Sequence, residues 1–169
     1  MLKPQIRHAE PADVPAIVDL IRELAAFEKL EHLMRATPQT LGPHLFGENP
    51  VAEALVAQAD GKVVAFALFF TNFSTFLAQP GLYLEDLYVQ PAWRGQGVGK
   101  ALLQRLGAMA VERGCGRFEW SVLDWNDNAI RFYEKMGATV MPDWRICRVT
   151  GHALAAFGGD ASATGSTLP

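Results

Sequence analysis

The stretch from Tyr83 to Gly107, Y-L-E-D-L-Y-V-Q-P-A-W-R-G-Q-G-V-G-K-A-L-L-Q-R-L-G, constrains the fold more than any other part of the chain. Tyr83 to Val89 is aromatic and aliphatic, the composition of a strand, with the adjacent carboxylates Glu85 and Asp86 in its middle. Pro91 ends that strand, because proline donates no hydrogen bond to a ladder. Beyond three alternate glycines, Val98, Leu102, Leu106 and Met109 recur at helical spacing. A strand, a glycine turn and a helix start therefore follow one another. Gly95, Gly97 and Gly99 let the backbone take positive φ and come close to a ligand. Their N–H groups, with the first free amides of the helix, can converge on an anion that the helix dipole also favours. Arg94 and Lys100 flank the turn and add positive charge.

Two other phosphate motifs can be compared letter by letter. A P-loop needs G-x-x-x-x-G-K-[S/T], but Lys100 is followed by Ala101 and no glycine stands five places before Gly99. A dinucleotide fingerprint needs G-x-G-x-x-G/A, but counted from Gly97 its last position is Leu102. Glu119 does stand near the place of a ribose-binding acid, so spacing alone leaves that alternative open. A plain surface turn is the other reading of an isolated G-x-G-x-G.

The 169 residues, half of them hydrophobic, suit one domain with one core. Residues 1–157 are expected to form it, and the small, polar stretch 158–169 is expected to be a flexible tail. A net charge of −3 gives no electrostatic footprint for nucleic acid. Cys115 and Cys147 are too few for a disulfide scaffold. The N-terminus lacks an apolar signal core and no window approaches a membrane span, so a cytoplasmic protein is expected. His8, His32, His44 and His152 are scattered, and no metal site is expected.

In chain order, Gln5 to Ala9 reads as a strand. A helix follows, with Val14, Ile17, Val18, Ile21, Leu24 and Ala25 on its apolar face. Phe27-Glu28-Lys29-Leu30-Glu31 closes it, and Thr37 with Pro38 opens a second helix through Phe46. Three strands are expected over Ala52 to Ala59, Lys62 to Asn72 and Leu82 to Val89. Asp60-Gly61 forms a hairpin turn, and Phe73 to Gly81 a longer loop. The helix from Val98 to Arg113 stops at Gly114. A strand over Phe118 to Leu123, a helix over Asn126 to Met136 and two short strands, near Thr139 and over Arg145 to Val149, complete a mixed α/β sheet.

Arg94-Gly95-Gln96-Gly97-Val98-Gly99 resembles the Q/R-x-x-G-x-G/A acetyl-CoA signature of the GNAT N-acetyltransferase superfamily. Asp124-Trp125-Asn126, Ala129, Arg131-Phe132-Tyr133 and Gly137-Ala138 resemble the segment that follows in that superfamily. With Tyr83-Leu84-Glu85-Asp86, Phe27-Glu28-Lys29-Leu30 and Trp144-Arg145, the pattern is most similar to the diamine acetyltransferase branch, which holds the spermidine/spermine and thialysine enzymes. The resemblance implies the GNAT fold, a mostly antiparallel mixed sheet flanked by helices whose strands four and five splay around acetyl-CoA. It also implies a homodimer that moves acetyl directly to a small primary amine.

Such a transfer needs a base for the ammonium, a donor to polarise the thioester carbonyl and an acid for the departing sulfur. Strand alternation sends Glu85 and Asp86 to opposite faces, so at least one lies beside apolar surface. Desolvation there raises a carboxylate's pKa and makes it a better base near neutral pH. The resemblance puts the catalytic acidic residue at Glu85, acting through a water; a structural pair at the strand's wet end is the alternative, and Asp86 could equally hold a substrate cation. A backbone N–H among Leu87, Tyr88 and Val89 is the expected carbonyl donor, along the pantetheine path. Tyr133 matches the family's general acid, or else is a core tyrosine. Asn126 matches a cofactor contact and also suits a helix N-cap. The resemblance implies that Arg94, Gly95, Gln96, Gly97, Val98, Gly99 and Lys100 hold the cofactor phosphates. Glu28, Glu31, Asp86 and Trp144 could line an acidic, aromatic amine pocket, and Glu28 and Trp144 match substrate-pocket positions. Trp93 stands where the family often has tyrosine. Acetylation of a protein terminus or lysine, and a silent acyl-CoA-binding module, are the competing functions.

Overall fold

The computed structural model describes residues 3–159. They form two compact units, one through Ser121 and one from Val122, each taken by itself below. The expectation of a flexible tail over 158–169 falls, apart from Gly158 and Gly159, outside the described residues.

The first unit is a five-stranded sheet in sequential order: β1 (Gln5–His8), β2 (Glu53–Ala59), β3 (Lys62–Ser74), β4 (Gln79–Val89) and β5 (Arg117–Trp120). The first three pairings are antiparallel and β4 runs parallel to β5. Helices α1 (Val14–Glu28) and α2 (Pro38–Phe46) lie on one face. Ile17 and Leu20 of α1 and Leu45 of α2 pack there on Val56, Phe66, Leu68 and Tyr88. Helix α3 (Val98–Glu112) brings buried Val98, Leu102, Leu106 and Met109 to the sheet. Val89 points to that side, since a Cβ on Gly99 would lie 3.7 Å from its methyl group.

Local chemistry sets most boundaries. Thr37 caps α2: its hydroxyl accepts from the Thr40 amide at 3.2 Å, and the Thr40 hydroxyl accepts from the Thr37 amide at 2.9 Å. Asp60 and Gly61 both take positive φ, as a tight two-residue hairpin requires. The expected loop over Phe73 to Gly81 is shorter than the composition suggests, because pairing continues to Ser74↔Gln79 and only four residues turn.

Arg7 and Asp13 join β1 to the start of α1. The guanidinium donates to both carboxylate oxygens, at 2.6 and 2.9 Å, and the Glu10 amide donates to the same carboxylate at 2.8 Å. The Arg7 hydrogen bond, over opposing desolvation, holds the Asp13 carboxyl below its ordinary value. Asp13→Ala is expected to cost about 2 kcal/mol at pH 7 in urea unfolding. For a depressed carboxyl that contribution is present above the unfolded pKa of about 4 and is lost as pH falls through the folded value. The gap between wild type and variant should therefore close in acid; a constant gap would assign Asp13 a packing role instead.

The second unit holds α4 (Asp127–Lys135) and α5 (Gly151–Gly158). Asn126 caps α4, its side-chain oxygen accepting from the Ala129 amide at 3.2 Å. The strands expected near Thr139 and over Arg145 to Val149 do not form: residues 138–150 are irregular and a helix follows. A strand is stable through its ladder, and this stretch, split by Pro142, pairs with no strand among the described residues.

Candidate active site

Two features of β4 organise the site. The first is a bulge. Leu68 of β3 faces Asp86 and Phe69 faces Leu84, which leaves Glu85 without a partner. The extra residue cancels the alternation expected of Glu85 and Asp86. Instead of opposite faces, both carboxylates line one cavity. Past the bulge Asp86 and Tyr88 share the face that carries Leu68 and Phe66, towards α1, and Leu87 and Val89 face the α3 side.

The second feature is a lost edge. The ladder between β4 and β5 runs from Gly81↔Arg117 to Leu84↔Trp120 and stops. From Glu85 to Val89 that edge of β4 has no partner in β5, as expected where two strands diverge. Apart from the Val89 carbonyl, which accepts from Arg94 Nε, polar backbone groups along it are available to a ligand that runs like a strand.

The cavity, about 340 Å³, is walled by Ile21, Leu24 and Ala25 of α1 and by Leu30, Leu33 and Met34 just beyond its end. Glu28, Glu85 and Asp86 supply its polar side. Burial, then the charges of Glu85 and Glu28, push the Asp86 carboxyl up to about 6. Burial also raises the Glu28 carboxyl. Glu85, at the bulge, is exposed. Of the two β4 carboxylates, Asp86 is thus the desolvated one. An apolar trough ending in three carboxylates suits an alkylammonium ion. A larger cavity of about 540 Å³, between the start of α1 and α2, is lined by prolines and other residues without a titratable side chain. Its size does not make it the chemical candidate.

Pro91 to Trp93 form a short turn after β4 and lead into the glycine segment. Gly95 and Gly97 have φ of 72° and 82°, and a Cβ at either would meet nothing within 4 Å, so the space over the turn is open. Gly97 caps α3, whose first amides are free of helical partners. Lys100 is exposed on the first turn of α3, and the Gln96 side-chain amide donates to the Ala92 carbonyl at 2.9 Å. These features fit a phosphate group above the turn. Arg94 is directed elsewhere: its Nε donates to the Val89 carbonyl at 2.8 Å, and its guanidinium lies over the rings of Phe27 and Tyr88.

Glu28, Glu85, Asp86, residues 87–89 and the glycine turn thus all lie in the first unit, with the two carboxylates of β4 and the start of its free edge adjacent in sequence. Asn126, Tyr133 and Trp144 lie in the second unit. There Asn126 is the cap of α4, Tyr133 sits on α4 with its ring 5.4 Å from that of Phe132, and Trp144 is in the irregular stretch. Sequence reasoning does not single out Leu33 and Met34 as cavity wall; the signal is an apolar pair just past the segment Lys29 to His32 that follows a helix ending in an acid. Nor does it find the bulge, which depends on pairing with β3.

The sequence profile described as "Acetyltransferase (GNAT) family" matches residues 16–138. An L-ornithine N5-acetyltransferase of Arabidopsis thaliana is 37% identical over an alignment 198 positions long, gaps included, covering 90% of this chain and 87% of the relative. A thialysine N-epsilon-acetyltransferase of Mus musculus is 37% identical over 170, covering 94% and 99%. Among solved structures, an integron cassette protein from the mobile metagenome of V. cholerae superposes with a TM-score of 0.79 at 24% identity, over 95% of this chain and all of that one.

Proposed function

The chain belongs to the acetyltransferase (GNAT) family, and on that premise we propose that it transfers acetyl from acetyl-CoA directly to a primary amine of a small molecule such as a polyamine, ornithine, thialysine or a lysine-like amine. The observation that carries this reading is the continuity of β4, where an acidic, apolar-walled cavity at Glu85 and Asp86 leads without a break into a free strand edge and an open glycine turn. Relatives named for acetylating ornithine and thialysine support a small amine over a protein. The family profile crosses from one compact unit into the other, which supports treating both as one domain. The resemblance further supports a homodimer working in the cytoplasm, where acetyl-CoA is available.

Acetyl-CoA supplies the acetyl group as an activated thioester. The amides of residues 94–100 and the Lys100 side chain hold its phosphates, joined by the N–H donors that Arg94 keeps beyond its bond to the Val89 carbonyl, and the free edge at Leu87, Tyr88 and Val89 takes the pantetheine arm and offers an N–H to the thioester carbonyl. Glu28 and Asp86 draw in the cationic amine, and the resemblance assigns Trp144 to the same task. Glu85, exposed beside them, accepts the ammonium proton, directly or through a water, and releases it to solvent. The resemblance assigns Tyr133 the proton for the departing sulfur, a transfer from a phenol of pKa about 10 to a thiolate whose conjugate acid is about 8.5; the proton that the attacking nitrogen sheds as the amide forms restores the phenol. Asn126 caps α4 and contacts the cofactor.

The test is thiol release from acetyl-CoA with spermidine, putrescine, ornithine, thialysine, lysine and a short peptide. Turnover on one or more small amines is expected. Turnover on the peptide alone would replace this reading with protein acetylation, and acetyl-CoA binding without turnover on any of them would make the chain a binding module.

A further inference from the structure

Arg94 opens the glycine turn, yet its contacts tie it to the amine cavity. Its Nε donates to the last carbonyl of β4, Val89, at 2.8 Å. Its guanidinium carbon is 5.2 Å from the centre of the Phe27 ring and 5.3 Å from that of Tyr88, within range of a cation–π contact to each. Tyr88 is the buried residue through which β4 packs on α1, and Phe27 stands in the last turn of α1, one residue before Glu28. One planar cation thus touches the end of the strand, the strand's inward aromatic and the end of the helix that carries a cavity carboxylate. A second link runs parallel to it. Glu23, one turn before Phe27, accepts from the Gln90 side-chain amide at 2.8 Å, and after burial its carboxylate is the next cause that raises the Tyr88 phenol. Glu23 and Phe27 are four residues apart and so share a helix face.

Both links reach the C-terminal half of α1. Phe27 itself is 43% exposed. Immediately beyond, Lys29 takes the left-handed conformation at φ 60°, and the chain turns into the Leu30–Met34 wall of the cavity. Whatever fixes Phe27 therefore fixes both Glu28 and the start of that wall. A guanidinium has five N–H donors, and the Val89 carbonyl uses one, so Arg94 keeps donors for a phosphate while its plane rests on the two rings.

We infer that Arg94 is a positioning residue of the amine cavity as well as part of the cofactor turn: by holding Phe27 and the Val89 carbonyl together it keeps Glu28 aligned with Glu85 and Asp86. The inference rests on the acetyl-transfer reading of the site. Lysine at 94 keeps a charge for phosphate but lacks the planar fork, and leucine at 27 keeps bulk but lacks the ring.

The experiment measures KM for the amine and for acetyl-CoA in Phe27→Leu, Phe27→Tyr, Arg94→Lys and the double variant Phe27→Leu/Arg94→Lys. Phe27→Leu should raise the amine KM about five- to tenfold and leave the acetyl-CoA KM within about twofold, and Phe27→Tyr should restore the amine KM. Arg94→Lys should raise both. Because the two side chains act through one contact, the double variant's amine KM should match that of Arg94→Lys alone instead of multiplying the two losses. An unchanged amine KM in Phe27→Leu, or independent multiplication, overturns the inference. Amide exchange over residues 27–34 supplies a reading that needs no turnover: it should accelerate in Phe27→Leu and Arg94→Lys, and wild-type exchange in both would overturn the inference as well. Accelerated exchange together with a wild type inactive on every amine would defeat the acetyl-transfer reading and leave the Arg94 contact standing.

Discussion

Glu85→Gln is expected to lower kcat/KM for the amine about 10²- to 10³-fold near pH 7, within the range a positioned general base supplies. The deficit has a direction in pH. Around neutrality the amine arrives protonated and needs the carboxylate to take its proton. Nearer the amine's own pKa, about 10 for an alkylammonium, a growing share arrives neutral and the variant recovers ground. A plot of the wild-type to variant ratio against pH should fall between pH 7 and 10. A ratio that stays flat across that interval, or never exceeds about tenfold, would remove Glu85 from the proton path. Stability should hardly change, because the side chain is exposed and lies outside the ladder. A large loss of Tm would mean that turnover fell because the fold did.

Asp86→Asn carries the opposite pairing of effects, a gain in stability with a loss of amine binding. The Asp86 carboxyl is raised from 3.8 to about 6 by burial first and by its acidic neighbours second. A raised carboxyl means that the folded protein binds the proton more tightly than the unfolded chain does. Between about pH 4 and about pH 6 the folded state therefore loses stability as pH rises, and above that window it carries the whole cost. Two units correspond to about 3 kcal/mol. The cavity is open to water, so a net cost of about 1–2 kcal/mol is the more reasonable expectation. Asparagine is neutral and nearly the same size. It should raise Tm by about 3–6 °C at pH 8, with the gain disappearing at pH 4, and should raise the amine KM about tenfold or more. An unchanged or lower Tm at pH 8 would show that the ionised carboxylate is fully compensated in its pocket.

The two variants separate what sequence alone discloses from what it conceals. Thr37-Pro38, Asp60-Gly61 and the glycines of the turn announce their local structures, because capping, tight turns and positive φ are decided within a few residues. The identity of the acids as a pair is legible for the same reason. Their orientation is not: the bulge at Glu85 arises from how β4 registers against β3, and a single unpaired residue reverses every later side chain. The short strands expected near Thr139 and over Arg145 to Val149 fail by the same logic, since an apolar stretch becomes a strand only where another strand pairs with it. Arg94 is legible as a charge beside a glycine turn, but its approach to Phe27 depends on two segments far apart in sequence meeting at the end of β4.

In the ladder between β3 and β4, Glu85 is the surplus residue, with no residue of β3 opposite it. Folding and chemistry therefore draw on different residues of the same strand. Core packing constrains the buried Leu84 and Tyr88 and, on the proposed reading, leaves the position between Leu84 and Asp86 answerable to the reaction. On the proposed reading, a descendant that lost this one residue would keep its sheet and two of the three cavity carboxylates, Glu28 and Asp86, and would bind the amine with no base to take its proton.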